Sequence, residues 1–140
     1  MSGKKWREIF DIISKAGGAS EGDWRKLFNE SKSFDQLKKG CDLAKKLGEI
    51  EWVRRFLGEM TRIARLGDSI SQWRAVARLS VTGSPEYDRA VGMAYKLTRE
   101  KKEKSLHAWR ELKNILPGNH PLYSEIKMRV RVLRRREEVA

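Results

Sequence analysis

The feature that most constrains the fold of this chain is a match of the sequence to itself at a distance of 36 residues. Residues 69–99 align without a gap with residues 105–135, and seven of the 31 aligned pairs are identical, where an unrelated segment would give roughly two. The identical pairs are Ser69 with Ser105, Trp73 with Trp109, Arg74 with Arg110, Pro85 with Pro121, Tyr87 with Tyr123, Leu97 with Leu133 and Arg99 with Arg135. A self-match of this period is the signature of a helical repeat, whose units cover each other's apolar faces.

Each of the two matched units predicts a pair of helices around a proline-containing turn. In the first unit, apolar residues recur at three- and four-residue spacing on both sides of Gly83 and Pro85. Glycine suits the end of the first helix and proline the first turn of the second. The second unit repeats this pattern around Pro117 and Pro121. We therefore predict an all-α fold of stacked antiparallel helical hairpins, a short α-solenoid of about seven to eight helices.

Upstream of the matched units, the same pattern is fainter. Residues 33–68 align with the first unit at 35 to 36 residues and predict a third, degenerate hairpin. Ser20 and Asp23 form a capping-box pattern that opens a helix. The apolar positions predict helices over residues 4–16, 20–28, 34–47 and 51–66, with Trp6, Ile9, Ile12 and Ile13 on one face of the first.

The length of 140 residues predicts a single all-helical domain. Its parts are two N-terminal helices in residues 1–32 and approximate hairpin repeats in residues 33–68, 69–104 and 105–140.

The second matched unit resembles the tetratricopeptide-like helical-hairpin repeats, which have a period of about 34 residues. The resemblance rests on the spacing of Trp109, Leu112 and Pro117, which looks like the closing pattern of that family, and it extends over residues 33–140. It implies a concave groove that holds a peptide or a partner helix.

The net charge of +12 favours a negatively charged partner. The surplus is +2 in each of residues 1–32 and 33–68 and +4 in each of residues 69–104 and 105–140. We expect the contacts to come from basic helix faces, from arginines that follow a tryptophan, and from a lysine cluster between two helices. The candidate binding residues are Arg54, Arg62, Arg74, Lys101, Lys102, Lys104, Arg110, Lys127, Arg131, Arg134 and Arg135.

The sequence offers little for catalysis or for a metal. Cys41, His107 and His120 have no short spacing that would predict a zinc site or a Cys-His pair. Cys41 lies at helical spacing with Leu37 and Ala44, which predicts a small core residue. There is no glycine-rich phosphate loop. We therefore expect a protein that is not an enzyme and that needs no metal and no cofactor.

The five tryptophans fall on the apolar stripes of their helices, which favours core packing over the stacking of bases. Arg74 and Arg110, each directly after a tryptophan, either form a ladder that grips phosphates or lie on a solvated or salt-bridged flank.

Two functions fit these observations. The first is a non-catalytic module that binds the phosphates of RNA or DNA, or serves as a helical subunit of a nucleoprotein complex. The alternative is a tetratricopeptide-like adaptor that binds an acidic peptide or partner protein. We expect no membrane as a partner, since there is no apolar run of about 18 residues. We also expect no small-molecule substrate. The single cysteine and the absence of a signal-peptide pattern predict a cytoplasmic location, and the 36% charged residues are typical of thermophilic proteins.

Overall fold

The computed structural model describes residues 2–67, 69–100 and 106–139 of the chain. Within these residues the fold consists of eight helices and contains no strand, which confirms the all-α helical-hairpin prediction. The helices are α1 (Ser2–Ala16), α2 (Glu21–Glu30), α3 (Phe34–Lys46), α4 (Ile50–Gly67), α5 (Ile70–Leu79), α6 (Pro85–Glu100), α7 (Leu106–Asn114) and α8 (Tyr123–Val139).

Contacts between helices divide the chain into two units, Met1–Gly67 and Asp68–Ala140. In the first unit α3 packs against α4, α1 packs against α2, and both α1 and α2 contact α3. In the second unit α5 pairs with α6, α7 pairs with α8, and α6 also contacts α7. The assignment of the whole chain to one domain stays a prediction.

Several helices begin at a serine whose side chain accepts a hydrogen bond from a backbone amide of the first turn. Ser20 forms the predicted capping box with Asp23, and Ser33 Oγ accepts a hydrogen bond from the Gln36 amide at 3.1 Å. Ser84 does the same for the amide of Tyr87 at 3.2 Å. Such a cap stabilises a helix by about 1 kcal/mol, because it satisfies a donor that has no partner within the helix.

The core of the first unit lies between α2, α3 and α4. Leu27, Cys41, Phe56 and Met60 have no solvent-exposed surface, and the Phe28 ring packs edge-on against Phe56 at 5.3 Å between ring centres. This confirms the prediction that Cys41 is a core residue. Each large apolar side chain buried in this way stabilises the fold by roughly 1.5–3 kcal/mol.

The prediction that Ile12 faces inward is wrong, since its side chain is 66% exposed. At 100° per residue it lies about 120° around the helix from Trp6, beyond the edge of the buried face. Trp6 and Ile13 are buried, and Trp6 Nε1 donates a hydrogen bond to Ser31 Oγ at 3.0 Å.

The second unit reproduces the internal repeat with one difference. Trp73 and Trp109 are both buried, and α5 and α7 begin at aligned positions. However, α6 begins at Pro85, whereas α8 begins at Tyr123, two residues after the aligned Pro121. The residues before α8 form a turn instead, in which His120 Nδ1 accepts a hydrogen bond from the Leu122 amide at 3.0 Å.

Candidate functional site

The most basic surface of the second unit is one side of α8. Lys127, Arg131, Arg134 and Arg135 are exposed there, and we call these four residues the basic stripe. Their positions lie within about 100° around the helix, and they extend over about 12 Å along its axis. Ile126 and Val130 are buried and fix the rotation of α8, and the middle of the basic stripe lies about 110° around the helix from them, on its exposed flank.

Three of the four cations in the basic stripe are unpaired within the part of the chain whose side chains the structure describes. Lys127, Arg131 and Arg135 form no ion pair with any residue that the structure describes. Within residues 123–136 the one acidic residue is Glu125, which lies about 130° around the helix from the middle of the stripe. These three charges are therefore available to a partner from solution.

Arg129, on the opposite flank of α8, is used within the fold. Its guanidinium lies over the ring of Trp109 at 4.9 Å, and its Nε is 3.9 Å from Glu125 Oε1. The same carboxylate oxygen accepts a hydrogen bond from the Tyr95 hydroxyl at 2.7 Å. Burial, together with this hydrogen bond, raises the pKa of Tyr95. Arg129 thus links α8 to α6 and α7 and belongs to the structural side of the helix.

The internal repeat explains why the basic stripe is exposed. Under the 36-residue alignment, Lys127, Arg131 and Arg134 correspond to Val91, Tyr95 and Thr98 of α6. That row of α6 is covered: Val91 and Thr98 are buried, and the Tyr95 ring packs edge-on against Trp109 of α7 at 6.3 Å. In α8 the equivalent row is cationic and exposed. The same row of positions is therefore a packing face in α6 and a charged face in α8.

The other candidate cations are placed less favourably or fall in the other unit. Arg62 donates from Nε to Glu59 Oε1 at 2.8 Å, and this bond raises its pKa, so its charge is already compensated. Arg54 is exposed on α4 of the first unit, and Arg110 is exposed on α7. Arg74 is half-buried on α5, so the ladder with Arg110 stays a prediction. The predicted contacts Lys101, Lys102 and Lys104 lie outside the described residues.

A second basic feature, which the sequence reasoning missed, is a cleft of about 370 Å³ between α1 and α3. Its lining consists of Lys4, Trp6, Arg7, Asp35, Gln36 and Lys39. Lys39 Nζ is 3.1 Å from Asp35 Oδ2, so one of the three cations is already paired. No local sequence signal marks this cleft, because it arises only when the first and third helices pack together.

Cys41, the one cysteine of the chain, is buried in the core. Burial raises the pKa of the Cys41 thiol from 9.0 to about 12, which leaves it protonated and inert at neutral pH. No cluster of three or more metal-ligating side chains occurs among the described residues. Within the same residues, no helix is both long enough and apolar enough to cross a membrane.

Comparisons of the chain with protein-family models, with curated proteins and with solved structures gave no match.

Proposed function

We propose that this chain is a non-catalytic, basic helical-hairpin module that binds nucleic acid through its phosphates, either alone or as a small subunit of a nucleoprotein complex. The observation that carries the proposal is the basic stripe: three unpaired cations on one exposed side of a helix whose other side is packed. Phosphate contacts made by lysine and arginine supply most of the free energy of sequence-independent binding.

The distribution of charge supports the second unit as the binding part. Residues 68–140 contain 16 Lys and Arg against nine Asp and Glu, a net charge of +7, whereas residues 1–67 contain 15 against ten, a net charge of +5. In the first unit many cations are neutralised locally, for example Arg25 by Glu21 at 3.3 Å and Lys46 by Asp42 at 3.1 Å. A negatively charged partner is therefore attracted to α8, where three positive charges are unpaired.

The test is fluorescence anisotropy with a labelled nucleic acid duplex of about 20 base pairs, titrated from about 50 to 300 mM salt. Three phosphate contacts give a log–log slope of about −2.7. The variant Lys127→Gln/Arg131→Gln/Arg135→Gln is expected to remove most of this slope and most of the affinity.

The matched control is Arg25→Gln/Lys46→Gln/Lys96→Gln. It also removes three positive charges, each of which already lies within 4 Å of a carboxylate. We expect this control to bind like the original chain. Equal losses in the two variants would mean that net charge alone, and not the basic stripe, attracts the nucleic acid. Absence of binding to the duplex and to a single strand of the same length at about 50 mM salt would refute the proposal.

A second candidate function is that of an adaptor for an acidic protein partner, as the tetratricopeptide-like resemblance implies. It is favoured by two apolar side chains beside the basic stripe, Met128 and Val132, which are 59% and 43% exposed and one turn apart on α8. Poly-glutamate separates the two functions. If poly-glutamate displaces the labelled duplex as well as unlabelled duplex does at the same concentration of negative charge, the adaptor function is favoured. If binding requires phosphate groups, poly-glutamate competes poorly.

Either function fits a reducing cytoplasm, where a buried, unpaired Cys41 is stable.

A further inference from the structure

The aromatic side chains of this protein are buried or half-buried. All 12 of them, five Trp, four Phe and three Tyr, lie in the described residues; seven are buried and five are half-buried, namely Phe10, Phe28, Phe34, Tyr95 and Tyr123. The five tryptophans are at most 6% exposed. Since proteins that bind single strands stack successive bases on exposed aromatic rings, this surface lacks the platform that single-strand binding uses.

Cations cover part of what remains accessible of three rings. Arg55 lies over Trp52 at 4.6 Å, Arg129 over Trp109 at 4.9 Å, and the Lys113 ammonium is 6.0 Å from the centre of Tyr123. On α7 and α8 the rings nearest to the basic surface are therefore occupied by the protein's own charges. A base would have to displace a cation from a ring before it could stack there.

The basic stripe has the geometry of a row of phosphates. Lys127, Arg131 and Arg135 follow one another at four-residue intervals, which is about 6 Å along the axis of one continuous helix. The whole row covers about 12 Å, which equals the axial rise of three to four phosphates on one strand of a B-form duplex, at about 3.4 Å of rise per phosphate. A duplex keeps these phosphates in place before binding, whereas a single strand must be ordered against the helix.

From the exposed cation row and the absence of an exposed aromatic ring in the described residues, we infer that the basic stripe selects double-helical nucleic acid over single strands. This inference rests on the proposed function and specifies the class of its ligand. Recognition is by backbone position and charge density, since a duplex carries one charge per roughly 1.7 Å and a single strand about half as many. It requires no base contact, so that affinity is insensitive to sequence.

The experiment is a competition assay in which a labelled duplex is displaced by unlabelled duplex DNA, by duplex RNA, or by single strands of the same length, oligo(dT) and oligo(dA). We expect the single strands to compete at least about tenfold less well per strand at about 100 mM salt. The two duplex arms show whether B-form or A-form geometry is preferred. Intrinsic tryptophan fluorescence is recorded in parallel, and we expect the single strands not to quench it, because no indole ring is accessible for stacking.

The outcomes separate this inference from the proposed function. If single strands compete as well as duplex, and the variant Lys127→Gln/Arg131→Gln/Arg135→Gln weakens both, the phosphate-binding function stands and the selection for duplex is refuted. Strong quenching by oligo(dT) would refute it in the same way. If neither form binds at about 50 mM salt, the proposed function itself fails. A preference for duplex that is lost in the stripe variant and kept in Arg25→Gln/Lys46→Gln/Lys96→Gln supports both the proposed function and the selection for duplex.

Discussion

The ring of Phe56 fills the space that a side chain on Gly40 would occupy. A β-carbon placed on Gly40 would be 2.7 Å from Phe56 Cε1 and 2.8 Å from Cζ, well inside normal van der Waals contact. Gly40 lies in the middle of α3, and Phe56 lies on α4 with no exposed surface. The glycine therefore sets how closely the two helices of this hairpin approach each other.

We predict that Gly40→Ala destabilises the protein although alanine is the better helix former. The helix propensity gained is about 1 kcal/mol. The Phe56 ring cannot move aside freely, because it is buried and packs edge-on against Phe28 at 5.3 Å. Overpacking of this kind costs about 1–3 kcal/mol, so we expect a net loss of about 1 kcal/mol in the free energy of unfolding. Urea denaturation followed by circular dichroism measures it.

The matched control is Gly58→Ala on α4, a helical glycine with open space around its Cα. Here the propensity term acts alone, and the substitution is expected to stabilise the protein by about 0.5–1 kcal/mol. If both variants are stabilised to the same extent, α3 and α4 can separate at no cost, and the close approach is not a constraint on this hairpin.

The repeat-related tyrosines provide a second test, because within the described residues only one of them has a hydrogen-bond partner for its hydroxyl group. The Tyr87 hydroxyl donates a hydrogen bond to the carbonyl oxygen of Ile115, which ties α6 to the segment after α7. Burial raises the pKa of Tyr87. We predict that Tyr87→Phe lowers the free energy of unfolding by about 1 kcal/mol, since the carbonyl loses its donor.

Tyr123, the residue aligned with Tyr87, makes no hydrogen bond through its hydroxyl group to the described part of the chain. Tyr123→Phe is therefore expected to change the free energy of unfolding by less than about 0.5 kcal/mol. Thermal unfolding of the two variants side by side gives the comparison. Equal effects would mean that loss of a phenol at this repeat position matters for a reason other than the bond to Ile115.

A pH-dependent term in stability comes from Cys41. Burial raises the pKa of its thiol from 9.0 to about 12 in the folded protein. A group whose pKa is raised by folding contributes its full stability below the unfolded pKa, and this contribution is lost as the pH rises from about 9 toward 12. We predict that the stability of the original chain relative to Cys41→Ala falls by about 2 kcal/mol between pH 8 and pH 10.5, measured by denaturant unfolding. A constant difference would show that the thiolate is tolerated in the core.

Most helix boundaries could be predicted from the sequence because they depend on short-range interactions. The capping box of Ser20 and Asp23 and the start of α6 at Pro85 follow from residues within one turn of the boundary. The ion pair between Asp42 and Lys46 was predictable for the same reason, since four-residue spacing on a helix brings the two groups together. The expectation that Gly83 ends the preceding helix is wrong, because α5 ends at Leu79 and Gly83 lies in the turn that follows, with a positive φ.

Features that depend on how two helices are rotated against each other could not be predicted in this way. The sequence does not distinguish Arg129, which covers Trp109, from Arg131, which is unpaired, because both lie in one run of cations on α8. The alignment of the repeat contains part of the answer: it matches Arg131 with Tyr95, a residue in contact with Trp109. The alignment does not show that this row is covered in α6 and exposed in α8.

The last prediction uses this contrast between neighbouring arginines. Arg131→Gln is expected to make the log–log salt slope of duplex binding shallower by about 0.9, because one phosphate contact is removed. Its free energy of unfolding should change by less than about 0.5 kcal/mol, since the side chain contacts solvent. Arg129→Gln should show the opposite pattern, with an unchanged slope and a loss of about 0.5–1 kcal/mol from the cation–π contact with Trp109. Anisotropy titrations and urea unfolding of both variants measure the two quantities independently. If Arg129→Gln makes the slope shallower and Arg131→Gln does not, the phosphates contact the other flank of α8, and the basic stripe is not the binding surface.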